Sequence, residues 1–163
     1  ALEKDSMCLS FIQGSLHRNF MGYTASKTQV MIGLGISSIS DSWYSFAQNE
    51  KKLEDYYARL EQNEIPVVKG HVLSTEDLMI RKHILNLMCT FTTSWASKEM
   101  QFPELPEVLR QLAEMQQDQL LQIDEQGITV TEQGKPFVRN ICMAFDLRLK
   151  RRIPENRIFS MTI

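Results

Sequence analysis

The sequence is short of the groupings on which metal and redox chemistry depend. Its three cysteines, Cys8, Cys89 and Cys142, stand far apart, so there is no CxxC pair to suggest zinc or a dithiol. Cys89 and Cys142 fall inside apolar helical patterns, where a thiol behaves as a small hydrophobe. His17, His71 and His83 show no HxxxH spacing, and a metal site made by this chain alone is not expected. No apolar run approaches the roughly 20 residues of a spanning helix, so no membrane span is expected. Charge of one sign is lacking too: 18 basic residues face 20 acidic ones, and the net charge of -2 gives no global pull toward nucleic acid or an anionic membrane. There is no charged-then-apolar leader, and Ala1 stands where an initiator would, so the chain reads as cut at its beginning and as cytoplasmic.

What is present is concentrated in two stretches. Leu16-His17-Arg18-Asn19-Phe20-Met21-Gly22-Tyr23-Thr24 reads as one extended strand. Strand side chains alternate, so Arg18 and Phe20 share a face, a cation beside an aromatic ring. That pairing suits a flat or anionic ligand, and it suits equally an Arg that pairs an acid over a buried Phe. Val30-Met31-Ile32-Gly33-Leu34-Gly35 follows as an unbroken apolar run, the pattern of a parallel-sheet strand covered on both faces. No further βαβ unit is present to supply its neighbours, so residues 1–45 read as the severed edge of a larger sheet domain. Gly33-Leu34-Gly35 also echoes a dinucleotide fingerprint, but Ser38 replaces the third small residue and Ser40-Asp41-Ser42 interrupts the helix that should begin there.

The 163 residues suffice for one domain with a real core, or for a small domain and a piece of another. Residues 2–13 carry a partial helical stripe at Asp5, Cys8, Leu9 and Ile12, ended by Gly14. Asn49 is placed to cap a helix to Gln62, with Leu53, Tyr56, Tyr57 and Leu60 on one face and an Asp55–Arg59 pair on the other. Residues 67–73 read as an extended connector or short strand and as the boundary between 46–73 and a C-terminal domain at 74–163.

Ser74 and Asp77 make a near capping box before a helix with Ile80, Ile84, Leu87, Met88 and Phe91 on one face. Residues 92–102 read as a polar loop holding Trp95. A helix follows Pro103, striped by Leu105, Val108, Leu109, Leu112 and Met115. Short strands at 120–123 and 128–130 read as a hairpin with Gly127 at positive φ. A last helix, 134–150, turns Phe137 or Val138, Ile141, Phe145 and Leu149 inward. The fold class is mainly α with short β, α+β, and the C-terminal order is winged-helix-like. Such domains can carry a helix into DNA. Here Glu104, Glu107, Glu114 and Asp118 outnumber Arg110 on that helix, so no nucleic-acid partner is expected. The basic run 148–152 fits a helix C-terminus.

The words LHRNFMGYT, IGLGISSIS and Phe46-Ala47-Gln48-Asn49, with Arg139-Asn140-Ile141-Cys142-Met143-Ala144-Phe145-Asp146 and the final Phe159-Ser160-Met161-Thr162-Ile163, closely resemble oxygen-independent coproporphyrinogen III oxidases. These are radical S-adenosylmethionine (SAM) enzymes of haem synthesis, and the resemblance is to their last third. It implies a parent enzyme that converts two propionates of coproporphyrinogen III to the vinyl groups of protoporphyrinogen IX, with SAM, a 4Fe-4S cluster and an electron donor. The family's CxxxCxxC stretch is absent, so this chain is expected to bind neither cofactor nor cluster alone and to be inactive without the missing N-terminal barrel. The parent is expected to be a monomer. The resemblance puts Ile39, Phe20 and Met21 near SAM, with Met21 where the family commonly has Gln, and leaves Arg18 and His17 as candidates for a propionate or a SAM carboxylate. Two alternatives stand beside it: a haem-trafficking radical SAM relative, which would lack the unbroken His17-Arg18-Asn19-Phe20 and Gly22-Tyr23-Thr24 words, and a winged-helix module that binds nucleic acid or protein.

Overall fold

The computed structural model describes residues 4–151, and the final Phe159-Ser160-Met161-Thr162-Ile163 word lies outside the described residues. Internal contacts divide the chain into Ala1–Leu85 and Asn86–Ile163. The mixture of helices and short strands is the expected α+β class.

The first unit opens with helix α1 (Ser6–Ile12). Asp5 is not on its apolar stripe but is its N-cap: the carboxylate accepts from Met7 N at 2.9 Å and Cys8 N at 3.2 Å. Gly14, at φ +66°, ends it as expected. The next stretch is not one strand. It folds into a hairpin, β1 (His17–Asn19) against β2 (Gly22–Thr24), with Phe20 and Met21 at the turn. Asn19 Oδ1 accepts from Met21 N at 2.8 Å, a local bond that competes with continued extension. Gly22 takes up the φ of +127° on the return side.

A four-stranded antiparallel sheet follows: β3 (Val30–Met31), β4 (Ile39–Ser42), β5 (Ser45–Asn49) and β6 (Val67–Val72), in that spatial order. One expectation fails here. The apolar run 30–35 is a strand only at its first two residues, pairs antiparallel with β4, and leaves Ile32 and Leu34 largely exposed. Gly35 at φ +94° and Ser37 at φ +59° turn the chain back before a longer strand can form. Residues 67–72 take the strand alternative rather than the connector, as the sheet's fourth strand, paired with β5 from Ser45↔Val72 to Asn49↔Val67.

Asn49 explains the loop before β4. It caps no helix: it is buried at the end of β5, and its amide donates to Gly33 O at 3.1 Å and Gly35 O at 3.0 Å. Tyr56 on helix α2 (Leu53–Glu61) accepts from Gly35 N at 3.3 Å. Gly33 has to be glycine, because a Cβ there would lie 2.8 Å from Ile39 O. Arg59 pairs with Glu50 at 3.0 Å and Glu64 at 3.6 Å, not with Asp55, since Glu50 is the better buried acid beside it.

Helix α3 (Thr75–Thr90) passes through the division between the units. The capping box at its start is present: Asp77 Oδ2 accepts from Ser74 N at 2.8 Å and Ser74 Oγ at 2.9 Å, and Asp77 N donates to Ser74 Oγ at 3.2 Å. In the second unit, β7 (Thr92–Ser94) replaces the expected loop and pairs with β9. Helix α4 (Leu105–Gln117) begins with Pro in its first turn and buries Val108 and Leu112. The hairpin β8 (Leu121–Ile123) and β9 (Gly127–Val130) completes a sheet of order β7-β9-β8. Gly127 is not at positive φ; a Cβ there would collide with Thr93 O across the sheet. The hairpin turn is closed by Asp124, whose carboxylate accepts from Gln126 N at 2.7 Å and Gly127 N at 2.8 Å.

The last expected helix breaks into α5 (Val138–Met143) and α6 (Leu147–Arg151), preceded by a 3₁₀ turn at Lys135–Phe137. Asp146 causes the restart, accepting from Leu149 N at 2.8 Å. Phase therefore shifts, and Leu147 rather than Leu149 is buried with Val138, Ile141 and Phe145. Replacing Asn49 by Ala should destabilise the first unit by about 1–3 kcal/mol, because two carbonyls lose their donor. Urea unfolding followed by hydrogen exchange at residues 33–38 checks it.

Candidate functional site

Pairing register and strand alternation put Ile39, Asp41, Phe46, Gln48, Lys69 and His71 on one face of the antiparallel sheet. A carboxylate on such a face must be paired or it would not stay buried. Arg81 of α3 supplies the partner: its Nη2 lies 2.9 Å from Asp41 Oδ1 and 3.0 Å from Oδ2. Nη1 donates to Ser42 O and Trp43 O, both at 3.3 Å. The guanidinium carbon sits 4.8 Å from the Trp43 ring centroid and 5.0 Å from that of Phe46. This one side chain thus fixes the β4–β5 turn, the acid and two rings.

Phe46 passes that order on. The Phe20 ring meets it edge-on at 4.9 Å between centroids and 83° between planes. Beside the two rings lies an open cavity of about 150 Å³, lined by Phe20, Ile39, Phe46, Ala47, Gln48, Lys69, Gly70 and His71. His71 Nε2 stands 3.4 Å from Asp77 Oδ2, ion-pair range without hydrogen-bond alignment. A larger hollow of about 660 Å³ on the second unit is lined chiefly by glutamines, among them Gln116, Gln119, Gln122 and Gln133, and holds none of the residues expected at a site.

Of the five residues singled out in the sequence, Phe20 and Ile39 meet at the cavity. Met21 is 86% exposed at the hairpin turn and does not line it. Arg18 shares no face with Phe20, because the chain turns between them; it lies opposite Tyr23, 5.7 Å from that ring. His17 is buried and outside the cavity lining. Burial, with the cations Lys27 and Arg81 nearby, holds its imidazole below the ordinary value, and Asp41 only partly opposes this. Phe46, Lys69 and His71 carried no site expectation. Alternation along 45–49 and 67–72 could have placed them together only once those segments were known to be paired.

The thiols do not gather. Cys8 is in α1, Cys89 in α3 and Cys142 in α5, and among the described residues no three His, Cys, Asp or Glu side chains group as metal ligands. Among the described residues no helix is long and apolar enough to cross a membrane.

Residues 73–137 match the HemN C-terminal domain family. Over 91% of its length the chain is 35% identical to the oxygen-independent coproporphyrinogen III oxidase of Escherichia coli K12, covering 34% of that protein. A Synechocystis enzyme of the same description is 33% identical over 98% of the chain and 36% of the relative. The solved structure of Escherichia coli coproporphyrinogen III oxidase, described as a radical SAM enzyme, superposes with a TM-score of 0.82 at 33% identity, over 91% of this chain and 36% of that one. The chain spans about a third of the length of these relatives.

Lowering the pH should destabilise the first unit partly through His17. Its folded-state affinity for protons is reduced, so the unfolded chain binds more protons between about pH 6.5 and the lower folded value. The contribution is present above about pH 6.5 and is lost as pH falls through that window. His17→Gln should show a smaller drop in urea midpoint between pH 7.5 and 5.5 than the parent sequence, whatever its midpoint at pH 7.5.

Proposed function

We propose that the chain is the C-terminal part of an oxygen-independent coproporphyrinogen III oxidase, the enzyme to which it is similar over 91% of its length. The parent would oxidatively decarboxylate two propionates of coproporphyrinogen III to give protoporphyrinogen IX. The observation that carries this reading is that sequence identity and structural likeness to the same enzyme each extend over 91% of the chain, through both units.

In this reading the first unit, whose sheet includes the strands at 45–49 and 67–72, adjoins a radical SAM barrel supplied upstream, and the described residues from 86 to 151 form a helical domain with a small sheet that packs rather than reacts. The order helix, strand, helix, hairpin, helix and the sheet order β7-β9-β8 support a winged-helix-like description of that domain. Glu104, Glu107, Glu114 and Asp118 on and around α4 favour a protein-packing role over DNA binding. A cytoplasmic monomer that takes electrons from a soluble donor fits the same reading.

A 4Fe-4S cluster requires closely grouped thiolates, which these three cysteines do not offer. The cluster would therefore be held by the upstream part of the parent. SAM supplies the radical chemistry when bound. This chain's own part is to offer Phe20 and Ile39 as apolar contact at one wall of the site and to keep water from it. Arg18 would act through charge at a distance, whereas burial and the neighbouring cations disfavour the charged form of His17.

In the full-length parent, Ile39→Asp should replace apolar contact by a charge that competes with a ligand carboxylate, and Phe20→Ala should remove ring contact, and each should reduce coproporphyrinogen turnover at least tenfold with cluster content unchanged. Parental turnover in both folded variants would remove these residues from the site. Anaerobic reconstitution of this chain alone, followed by iron and sulfide assay, should give no stoichiometric cluster.

A further inference from the structure

The cavity beside Phe20 has an uneven lining. Phe20, Ile39 and Phe46 are its large apolar residues, and the register sets Gln48 beside Ile39, Lys69 beside Gln48 and His71 beside Phe46; no carboxylate lines it. At about 150 Å³ it is well below the roughly 300–1,000 Å³ of a whole ligand pocket, so it suits one substituent or one ring edge of a larger molecule.

The polar groups of the lining are not equally available. The Gln48 amide nitrogen already donates to Ser37 O at 3.3 Å. His71 turns Nε2 toward Asp77, whose carboxylate also holds the Ser74 cap. Arg81, the cation behind Phe46, is taken by Asp41 and two carbonyls. Lys69 remains: it is exposed, it stands opposite Gln48 in the strand register, and it forms no ion pair with a carboxylate among the described residues.

We infer that Lys69 is the anion-receiving residue of this cavity and that the ligand is an amphiphilic carboxylate, its apolar portion resting on Phe20, Ile39 and Phe46. The inference rests on the reading that the cavity belongs to the site of the parent enzyme. A flexible ammonium at the mouth reaches a carboxylate as a point charge, while the rings behind it exclude water on one side. His71 lies two residues along the same strand and on the same face, and its Nε2 faces Asp77. Both a propionate of coproporphyrinogen III and the amino-acid carboxylate of SAM have this chemistry.

Binding to the full-length parent separates the sources. Four probes are titrated: coproporphyrin III, its tetramethyl ester, SAM, and methylthioadenosine, which lacks the amino-acid end. Lys69→Met should weaken the carboxylate-bearing member of one pair by about threefold to tenfold while leaving its uncharged counterpart unchanged, and Lys69→Arg should restore most of the loss. The pair that responds identifies the carboxylate. If Lys69→Met binds all four probes as the parent does while Phe20→Ala weakens one pair, the lysine assignment is overturned and the cavity stays in the site. If neither variant alters any probe, the cavity lies outside the site and both readings fail.

Discussion

The first unit depends on one ion pair. Asp41 is 8% exposed in the middle of the sheet, where an unpaired carboxylate would be unsustainable, and Arg81 reaches it from a helix forty residues away in sequence. Removing one partner of such a pair typically costs about 3–5 kcal/mol, because the other is left buried and charged. Replacing both with apolar side chains would cost less, so the pair is better understood as a positioning device than as a source of stability. What it positions is legible in its contacts: the Ser42 and Trp43 carbonyls at the β4–β5 turn, then the Trp43 and Phe46 rings.

From Phe46 the order spreads to the cavity. Phe20 comes from a hairpin whose turn residues would otherwise be solvent-facing, and its edge-on contact with Phe46 gives it a fixed place. Ile39 arrives on the neighbouring strand because the loop before it is tied down by Asn49 and Tyr56. Both anchors act on backbone groups of the glycine-containing loop, where there are no side chains to hold. Two separate devices, one ionic and one amide-based, therefore converge on the same wall.

Local chemistry was legible wherever a residue acts on its near neighbours. Gly14 as a helix stop, Ser74 with Asp77 as a cap, and the stripes of α3 and α4 could be read directly, since each depends on spacings of three or four residues. Misreadings cluster where a residue's partner is distant. Asn49 has the composition of a cap but serves a loop fourteen to sixteen residues back. Gly127 looks like a turn glycine, yet its lack of a side chain answers to Thr93 across the sheet. The run 30–35 is as apolar as a buried strand, but burial is a property of what covers a residue, and Gly35 and Ser37 turn the chain back first.

By itself the sequence carried the likeness to oxygen-independent coproporphyrinogen III oxidases, the α+β class and two of the residues that meet at the cavity, because words such as His17-Arg18-Asn19-Phe20 are linear and need no partner to be recognised. Only the tertiary structure decided which of the signature residues share a wall. A strand read as continuous would have put Arg18 beside Phe20; the turn at Phe20 and Met21 sends Arg18 to Tyr23 and Phe20 to Phe46. The physical reason is that alternation assigns faces only while a strand continues, whereas a two-residue turn, fixed by Asn19 and Gly22, reassigns every side chain beyond it.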